Sequence, residues 1–181
     1  MKVSIFNGTP RPEGNTAKLT MMLGNGLARE GCDVQEFLID RADIRGCRNC
    51  GACQKDRTEF CAVDDGMTPL YRRFLESDLV IMASPIYMWG ITAPTKAFMD
   101  RLHCLCREGS NRMAGKKLAF VTTMGDEEIV AACASNAMQF FCEYFGMTYM
   151  GTFAVPFASQ DAVCSEVNTA RMKEFIGRLL A

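Results

Sequence analysis

Histidine is almost missing from this chain: His103 stands alone among 181 residues. With so little imidazole, no Ser-His-Asp or Cys-His set supports hydrolytic chemistry. Strong charge of one sign is missing too. Lys and Arg number 20 against 21 Asp and Glu, a net charge of -1, and the basic residues are spread along the sequence. No global field favours nucleic acid or an anionic membrane, so small-molecule or protein partners are expected. Long hydrophobic runs are lacking as well. The opening Val3-Ser4-Ile5-Phe6 is too short for a signal-peptide core, and no later run approaches a membrane span, so a cytoplasmic location is expected. No repeat, low-complexity tract or interdomain linker appears. The length and 49% hydrophobic content suit one domain over residues 1–181 with a full core.

Cysteine, by contrast, is plentiful. In a reducing cytoplasm ten cysteines are not a disulfide framework; each is a small buried hydrophobe, a reactive thiol or a metal ligand. Cys32, Cys104, Cys106, Cys133, Cys142 and Cys164 are scattered, which predicts buried core thiols. Cys47, Cys50, Cys53 and Cys61 form a local group that is a ligand set, a redox set or a coincidence.

Hydrophobic patterning supplies the elements around this group. Lys2 to Phe6 reads as a strand that stops at Asn7-Gly8-Thr9-Pro10. From Asn15-Thr16, either of which suits a cap, Leu19, Met22, Leu23 and Leu27 recur at helical spacing until Gly31. Asp33 to Ile39 is a second strand. Residues 40 to 66 show no periodicity, so the cysteine-rich stretch at 41–66 is expected to be a functional loop. Thr68-Pro69 reads as a cap and first turn, with Leu70, Phe74 and Leu75 on one face. Asp78 to Ala83 is a near-continuous apolar strand, the pattern of a strand buried on both faces.

A helix follows from Ala93-Pro94 with Phe98, Leu102 and Leu105, then a strand at Lys116 to Thr123. The next helix, Glu127 to Phe145, carries Ile129, Ala132, Cys133, Asn136, Ala137 and Phe140 on one stripe. Thr148 to Val155 is the last strand. Ala162 to Leu180 is the last helix, with Val163, Val167, Ala170, Phe175, Ile176 and Leu179. Strands alternating with helices imply a doubly wound parallel sheet, whose ligands sit beyond the carboxyl ends of the strands.

Three loops reach that rim. Gly8 to Thr16 precedes a helix start, where free amides attract an anion; the Thr9 and Thr16 hydroxyls, the Asn15 amide and the Arg11 guanidinium suit a phosphate. It matches neither Gly-x-Gly-x-x-Gly nor a P-loop, which disfavours dinucleotide and ATP sites. Pro85, Ile86, Tyr87, Met88, Trp89 and Gly90 offer apolar faces and amides to a flat ring system. Thr123-Met124-Gly125-Asp126 ends at the same rim. Singly, each loop is also consistent with an ordinary turn or core packing; their convergence is the argument.

Gly8-Thr9-Pro10-Arg11 with Gly14-Asn15-Thr16, Asp64-Asp65-Gly66-Met67, Ser84-Pro85-Ile86-Tyr87 and Lys96-Ala97-Phe98-Met99-Asp100-Arg101 resemble the NADPH-dependent FMN reductase and iron-sulfur flavoprotein families. The resemblance implies a flavodoxin-like α/β fold, five parallel strands in the order 2-1-3-4-5, and FMN as prosthetic group. It also implies a homodimer or homotetramer with flavin near a subunit interface. By position it sets Thr9, Arg11, Asn15 and Thr16 on the phosphate, Pro85 to Gly90 against the isoalloxazine, and Thr123 and Gly125 at its outer edge. For Lys96, Asp100 and Arg101 it leaves open a solvated ion-pair face or an interface role.

Cys-x2-Cys-x2-Cys-x7-Cys is similar to the compact motif of the iron-sulfur flavoproteins. In that reading Cys47, Cys50, Cys53 and Cys61 hold a 4Fe-4S cluster that exchanges electrons with FMN, a ferredoxin is the natural donor, and small molecules such as quinones or oxygen species are acceptors. Arg48, Lys55 and Arg57 offset the anionic cluster, while Asp56 and Glu59 oppose it. Cluster-free thiols and structural zinc remain open. A cluster-free NAD(P)H-dependent FMN or quinone reductase is the alternative enzyme. A non-enzymatic FMN-binding electron carrier is the alternative from another class.

Overall fold

The computed structural model describes residues 1–55, 58–125, 127–156 and 162–181. In chain order the strands are β1 (Lys2–Asn7), β2 (Asp33–Leu38), β3 (Leu79–Tyr87), β4 (Gly90–Ile91), β5 (Cys106–Arg107), β6 (Ser110–Asn111), β7 (Lys117–Met124) and β8 (Thr148–Pro156). The α-helices are α1 (Asn15–Arg29), the one-turn α2 (Ala52–Lys55), α3 (Thr68–Glu76), α4 (Ala93–Arg101), α5 (Ala132–Tyr144) and α6 (Glu166–Leu180). The five long strands are parallel in the order β2-β1-β3-β7-β8, which is the expected 2-1-3-4-5 once the two-residue strands are set aside.

Alternation along the strands divides the core in two. Phe6, Val80, Met82, Leu118 and Phe120 meet Tyr71 and Phe74 of α3, Phe98 of α4 and Met138 of α5 on one face. Val3, Ile5, Leu79, Ile81, Ala119 and Val121 meet Leu19, Leu23 and Leu27 of α1 and Met172, Phe175 and Leu179 of α6 on the other. Each large side chain fully withdrawn from water stabilises by about 1.5–3 kcal/mol. Covering both faces is what a parallel sheet requires, and the exposed pattern of β2 marks it as the edge.

Helix ends follow local chemistry. Gly31, at φ 80°, terminates α1 with Cys32 N–H donating to Leu27 O at 3.1 Å and Gly31 N–H to Ala28 O at 3.0 Å. Neither Asn15 nor Thr16 caps α1; the N-cap is Gly14, with no side-chain cap. Thr68 likewise lies inside α3, and the Asp65 carboxylate accepts from Met67 N–H at 3.0 Å instead.

One predicted stripe faces outward and another is met in most of its residues. The helix expected from Glu127 begins as a 3-10 turn over Glu128–Ala131, with Ile129 exposed; on α5 the buried residues are Ala134, Met138 and Cys142, while Phe140 is exposed. On α6, Phe175, Ile176 and Leu179 are buried as expected, as is Val163 just before the helix, whereas Val167 and Ala170 are exposed and Met172 is buried. Cys133 and Cys164 are exposed rather than core thiols, and Cys32 and Cys106 are half-buried; Cys104 and Cys142 are buried as expected. Among the described residues no helix is long and apolar enough to cross a membrane.

Candidate functional site

The carboxyl ends of β1, β3 and β7 come into register at one rim: Asn7 pairs with Ala83, and Pro85 with Thr123. Gly8 N–H donates to Ala83 O at 2.8 Å, so the first loop leaves the sheet tied to its neighbour. A cleft of about 390 Å³ opens there, lined by Thr9, Arg11, Gly14, Asn15, Thr16, Pro85, Ile86, Tyr87, Thr123, Met124 and Gly125. Nine of these are predicted site residues, and Gly14 belongs to the first loop. Met124, in the loop stretch but not singled out, completes the wall.

A second hollow of about 630 Å³ adjoins it, lined by Ile86, Met88, Trp89, Met124, Gly125 and Val130. Gly90 lines neither; it pairs with Tyr87 in the β3–β4 hairpin. That hairpin turns through Met88 at φ 48° and Trp89 at φ 61°, a left-handed pair where glycine or asparagine is usual. Met88 is 85% and Trp89 66% exposed, so two large apolar side chains stand at the lip. Asp126 lies outside the described residues.

A buried polar brace underlies the cleft. The Thr16 and Thr123 hydroxyls share a hydrogen bond of 2.8 Å, which joins the first loop to the third. Thr92 Oγ1 donates to Gly8 O at 2.7 Å, and Thr92 N–H donates to Ser84 Oγ at 3.0 Å. Asn7 Oδ1 accepts from Thr9 N–H, while Asn7 Nδ2 donates to Glu36 Oε1 at 2.8 Å. A Cβ on Gly8 would stand 1.8 Å from Thr95 Oγ1, so glycine is required by that close approach. None of Asn7, Glu36, Ser84, Thr92 and Thr95 was expected. Polar residues flanking strand ends carry no period, so only their pairing in space reveals them.

The cysteine loop lies beyond β2. Asn49, at φ 50°, and Gly51, at φ 69°, turn the chain between successive cysteines. Asn49 N–H approaches Cys47 Sγ at 3.4 Å and Val63 N–H approaches Cys61 Sγ at 3.5 Å. Cys47 and Cys50 are exposed, Cys53 and Cys61 half-buried against the core. The buried Cys104 lies beside them: burial pushes its thiol up to about 11 against the hydrogen bond with Tyr71, and Cys53 and Cys61 add to the shift.

Arg101 is neither a solvated ion-pair residue nor an exposed interface residue. Its side chain is fully buried and pairs with Asp65 at 2.7 Å, whereas the Lys96–Asp100 pair is exposed. Burial opposes ionisation of Asp65, but hydrogen bonds from Arg101, Met67 N–H and Arg45 N–H outweigh it, with the Arg101 charge adding to them. They hold the carboxyl below its usual range. Gly66 is forced: a Cβ there would lie 1.3 Å from Ala42 O. Of the basic residues expected to offset charge in this loop, Arg48 and Lys55 are exposed, and Arg57, like Asp56, lies outside the described residues.

Sheet order and rim cleft define a doubly wound, flavodoxin-like α/β protein. The chain belongs to the NADPH-dependent FMN reductase family, whose model matches residues 1–161. It is 33% identical over 101 residues to an iron-sulfur flavoprotein of Methanocaldococcus jannaschii, covering 56% of this chain and 51% of that protein. It is 31% identical over 108 residues to the iron-sulfur flavoprotein of Methanosarcina thermophila, covering 60% and 56%. The matched stretch thus spans little more than half the length of these relatives. Among solved structures, an NAD(P)H:quinone oxidoreductase from Methanothermobacter marburgensis shares the fold at a TM-score of 0.74 and 15% identity, covering 100% of this chain and 96% of that one.

The cleft fits FMN by chemistry. Hydroxyls, first-turn amides and the Arg11 guanidinium suit a phosphate, and the buried Asn15 Oδ1 has no partner among the described residues, so a ligand hydroxyl would satisfy it. The four thiols suit a 4Fe-4S cluster in kind, and two of them receive backbone N–H groups. Their sulfurs do not converge: among the described residues no group of three His, Cys, Asp or Glu is arranged to hold a metal ion.

Proposed function

We propose that this chain is an FMN-dependent oxidoreductase whose cysteine loop, through Cys47, Cys50, Cys53 and Cys61, holds a 4Fe-4S cluster in electron exchange with the flavin. The convergence of three loops on the cleft between Thr9 and Gly125 carries the flavin half of this reading. Bound FMN supplies hydride or one-electron chemistry. Thr9, Arg11, Asn15 and Thr16 bind and orient its phosphate end. Pro85, Ile86 and Tyr87 face its ring and exclude water, and the backbone amides of 86–90 adjust its electronics, so no acid or base side chain is required. Thr123 and Gly125 bound the outer edge. Ferredoxin or NAD(P)H as donor and a small-molecule acceptor complete the reading. The exposed Met88, Trp89, Phe140 and Tyr144 favour a homodimer or homotetramer.

Anaerobic purification followed by absorption spectroscopy with iron and sulfide analysis tests it. Flavin bands together with iron and sulfide in equal amounts are expected. A second reading, a cluster-free NAD(P)H-dependent reductase, draws on the unconverged sulfurs. Rapid flavin bleaching by NAD(P)H in iron-free protein would establish it and overturn the cluster.

A further inference from the structure

One short stretch, residues 101–112, grips the cysteine loop at its base and along its Cys61 arm, beside the Arg72–Glu59 pair and the Phe60–Tyr71 stack that α3 supplies. Arg101 Nη1 donates to Arg45 O and Asp65 Oδ2, both at 2.7 Å. Its Nη2 donates to Val63 O at 2.9 Å and Asp65 Oδ1 at 3.2 Å. Asp65 Oδ2 also accepts from Arg45 N–H at 3.1 Å. The two ends of the loop are thereby joined at one guanidinium and one carboxylate.

Farther along, Arg107 Nη2 reaches the carbonyls of Thr58, Glu59 and Phe60 at 2.5, 3.2 and 3.4 Å, while its Nε donates to Cys104 O at 3.1 Å. Arg112 lies 5.3 Å from the centroid of the Phe60 ring. Gln54 Nε2, in return, donates to His103 O at 3.3 Å and Cys106 O at 3.1 Å, which fixes the turn after Cys53. The arm bearing Cys47 and Cys50 shows no such bond to the stretch and is exposed.

Irregular backbone leaves its carbonyls to water unless something organises them. A planar guanidinium is suited to the task, because its donors form a rigid fork that several carbonyls must match at once. Here two such forks are aimed at the chain immediately before and after Cys61. They act without any metal, so the order they impose precedes ligand binding.

We propose that Arg101 and Arg107 are positioning residues for the thiol loop: they hold its base and its Cys61 arm in place, leaving only the Cys47–Cys50 arm to close around a cluster. The inference rests on the cluster reading above for its purpose, though not for its geometry. Ordering paid before binding is not paid again on binding, so the clamp favours capture and retention of iron.

Arg107→Met, Arg107→Lys and Arg101→Lys separate the two ideas. Amide hydrogen exchange is measured on cluster-free protein; then ferrous iron and sulfide are added anaerobically, and iron retained per chain and its loss to a chelator are followed. In Arg107→Met, exchange at 58–63 should quicken about tenfold and iron loss severalfold, with FMN affinity within about twofold of the parent. Arg107→Lys should fail to restore either, since one ammonium cannot bond Cys104 O and the 58–60 carbonyls from two separate nitrogens as Nε and Nη2 do; Arg101→Lys should quicken exchange at both ends of the loop. Unchanged exchange in both Arg107 variants overturns the clamp, whether or not iron is retained. Faster exchange in variants of a parent that never retains iron upholds the clamp and overturns the cluster reading alone.

Discussion

The flavin cleft and the cysteine loop lie at the same end of the sheet, yet they are held by different means. Backbone at the cleft continues the sheet: Gly8 N–H bonds to Ala83 O, Pro85 stays in register with Thr123, and hydroxyls tie one loop to the next. Among the described residues the cysteine loop has no ladder beneath it. It depends on side chains from α3 and from a more distant stretch, above all on one buried ion pair. A site built on strands tolerates the loss of any one contact, whereas a loop fastened at a few points depends heavily on each.

The largest predicted effect tests that dependence. Arg101→Met leaves the Asp65 carboxylate buried and unpaired, and should lower stability by about 3–5 kcal/mol in chemical denaturation. Pairing it with Asp65→Leu should recover much of the loss, because both charges then go together; no recovery would show that the pair holds more than itself. The same carboxylate sets an acid limit. Its folded pKa is depressed, so its contribution is complete above the unfolded value of about 4 and drains as pH falls through the folded one. Melting temperature should therefore fall below about pH 4 in the parent, and less steeply in the double variant.

At the cleft the effects should be smaller and local. Arg11→Ala should weaken FMN binding by about 1.5–3 kcal/mol, roughly ten- to a hundredfold in Kd, with folding unchanged. Flavin titration checks it, and an unchanged Kd removes Arg11 from the phosphate. Thr123→Val breaks the bond to Thr16 and should cost about 1 kcal/mol of stability, read by denaturant midpoint. A loss as large as that at Arg101 would erase the contrast between the two regions. Smallest is Met88→Gly, expected to stabilise by about 0.5–1 kcal/mol through relief of the left-handed turn, while uncovering one side of the lip.

The sheet was legible because its signals are local. Val3 to Phe6 and Leu79 to Ala83 are apolar runs bounded by polar turns, and the motifs from Gly8 to Thr16 and Ser84 to Tyr87 fall where the strands end. The face of α5 was not, because Cys133, Ala137 and Phe140 repeat as regularly as the buried Ala134, Met138 and Cys142. Spacing cannot choose between two apolar stripes of one helix; packing does. Arg101 was misjudged for another reason. An arginine at a helix end reads as solvated, and its burial depends on Asp65, thirty-six positions earlier in a loop without pattern. The hairpin of β5 and β6 is too short to have a period at all.

The Arg101–Asp65 pair can also be seen as a cross-link. By joining Arg45 to Val63 and Asp65 it closes a chain segment of about eighteen residues. A disulfide over a similar span would restrict the unfolded chain by on the order of 3 kcal/mol. A reversible, redox-indifferent closure does that work here. In a protein with ten cysteines, this means that Cys47, Cys50, Cys53 and Cys61 are all spared from stapling the loop that carries them.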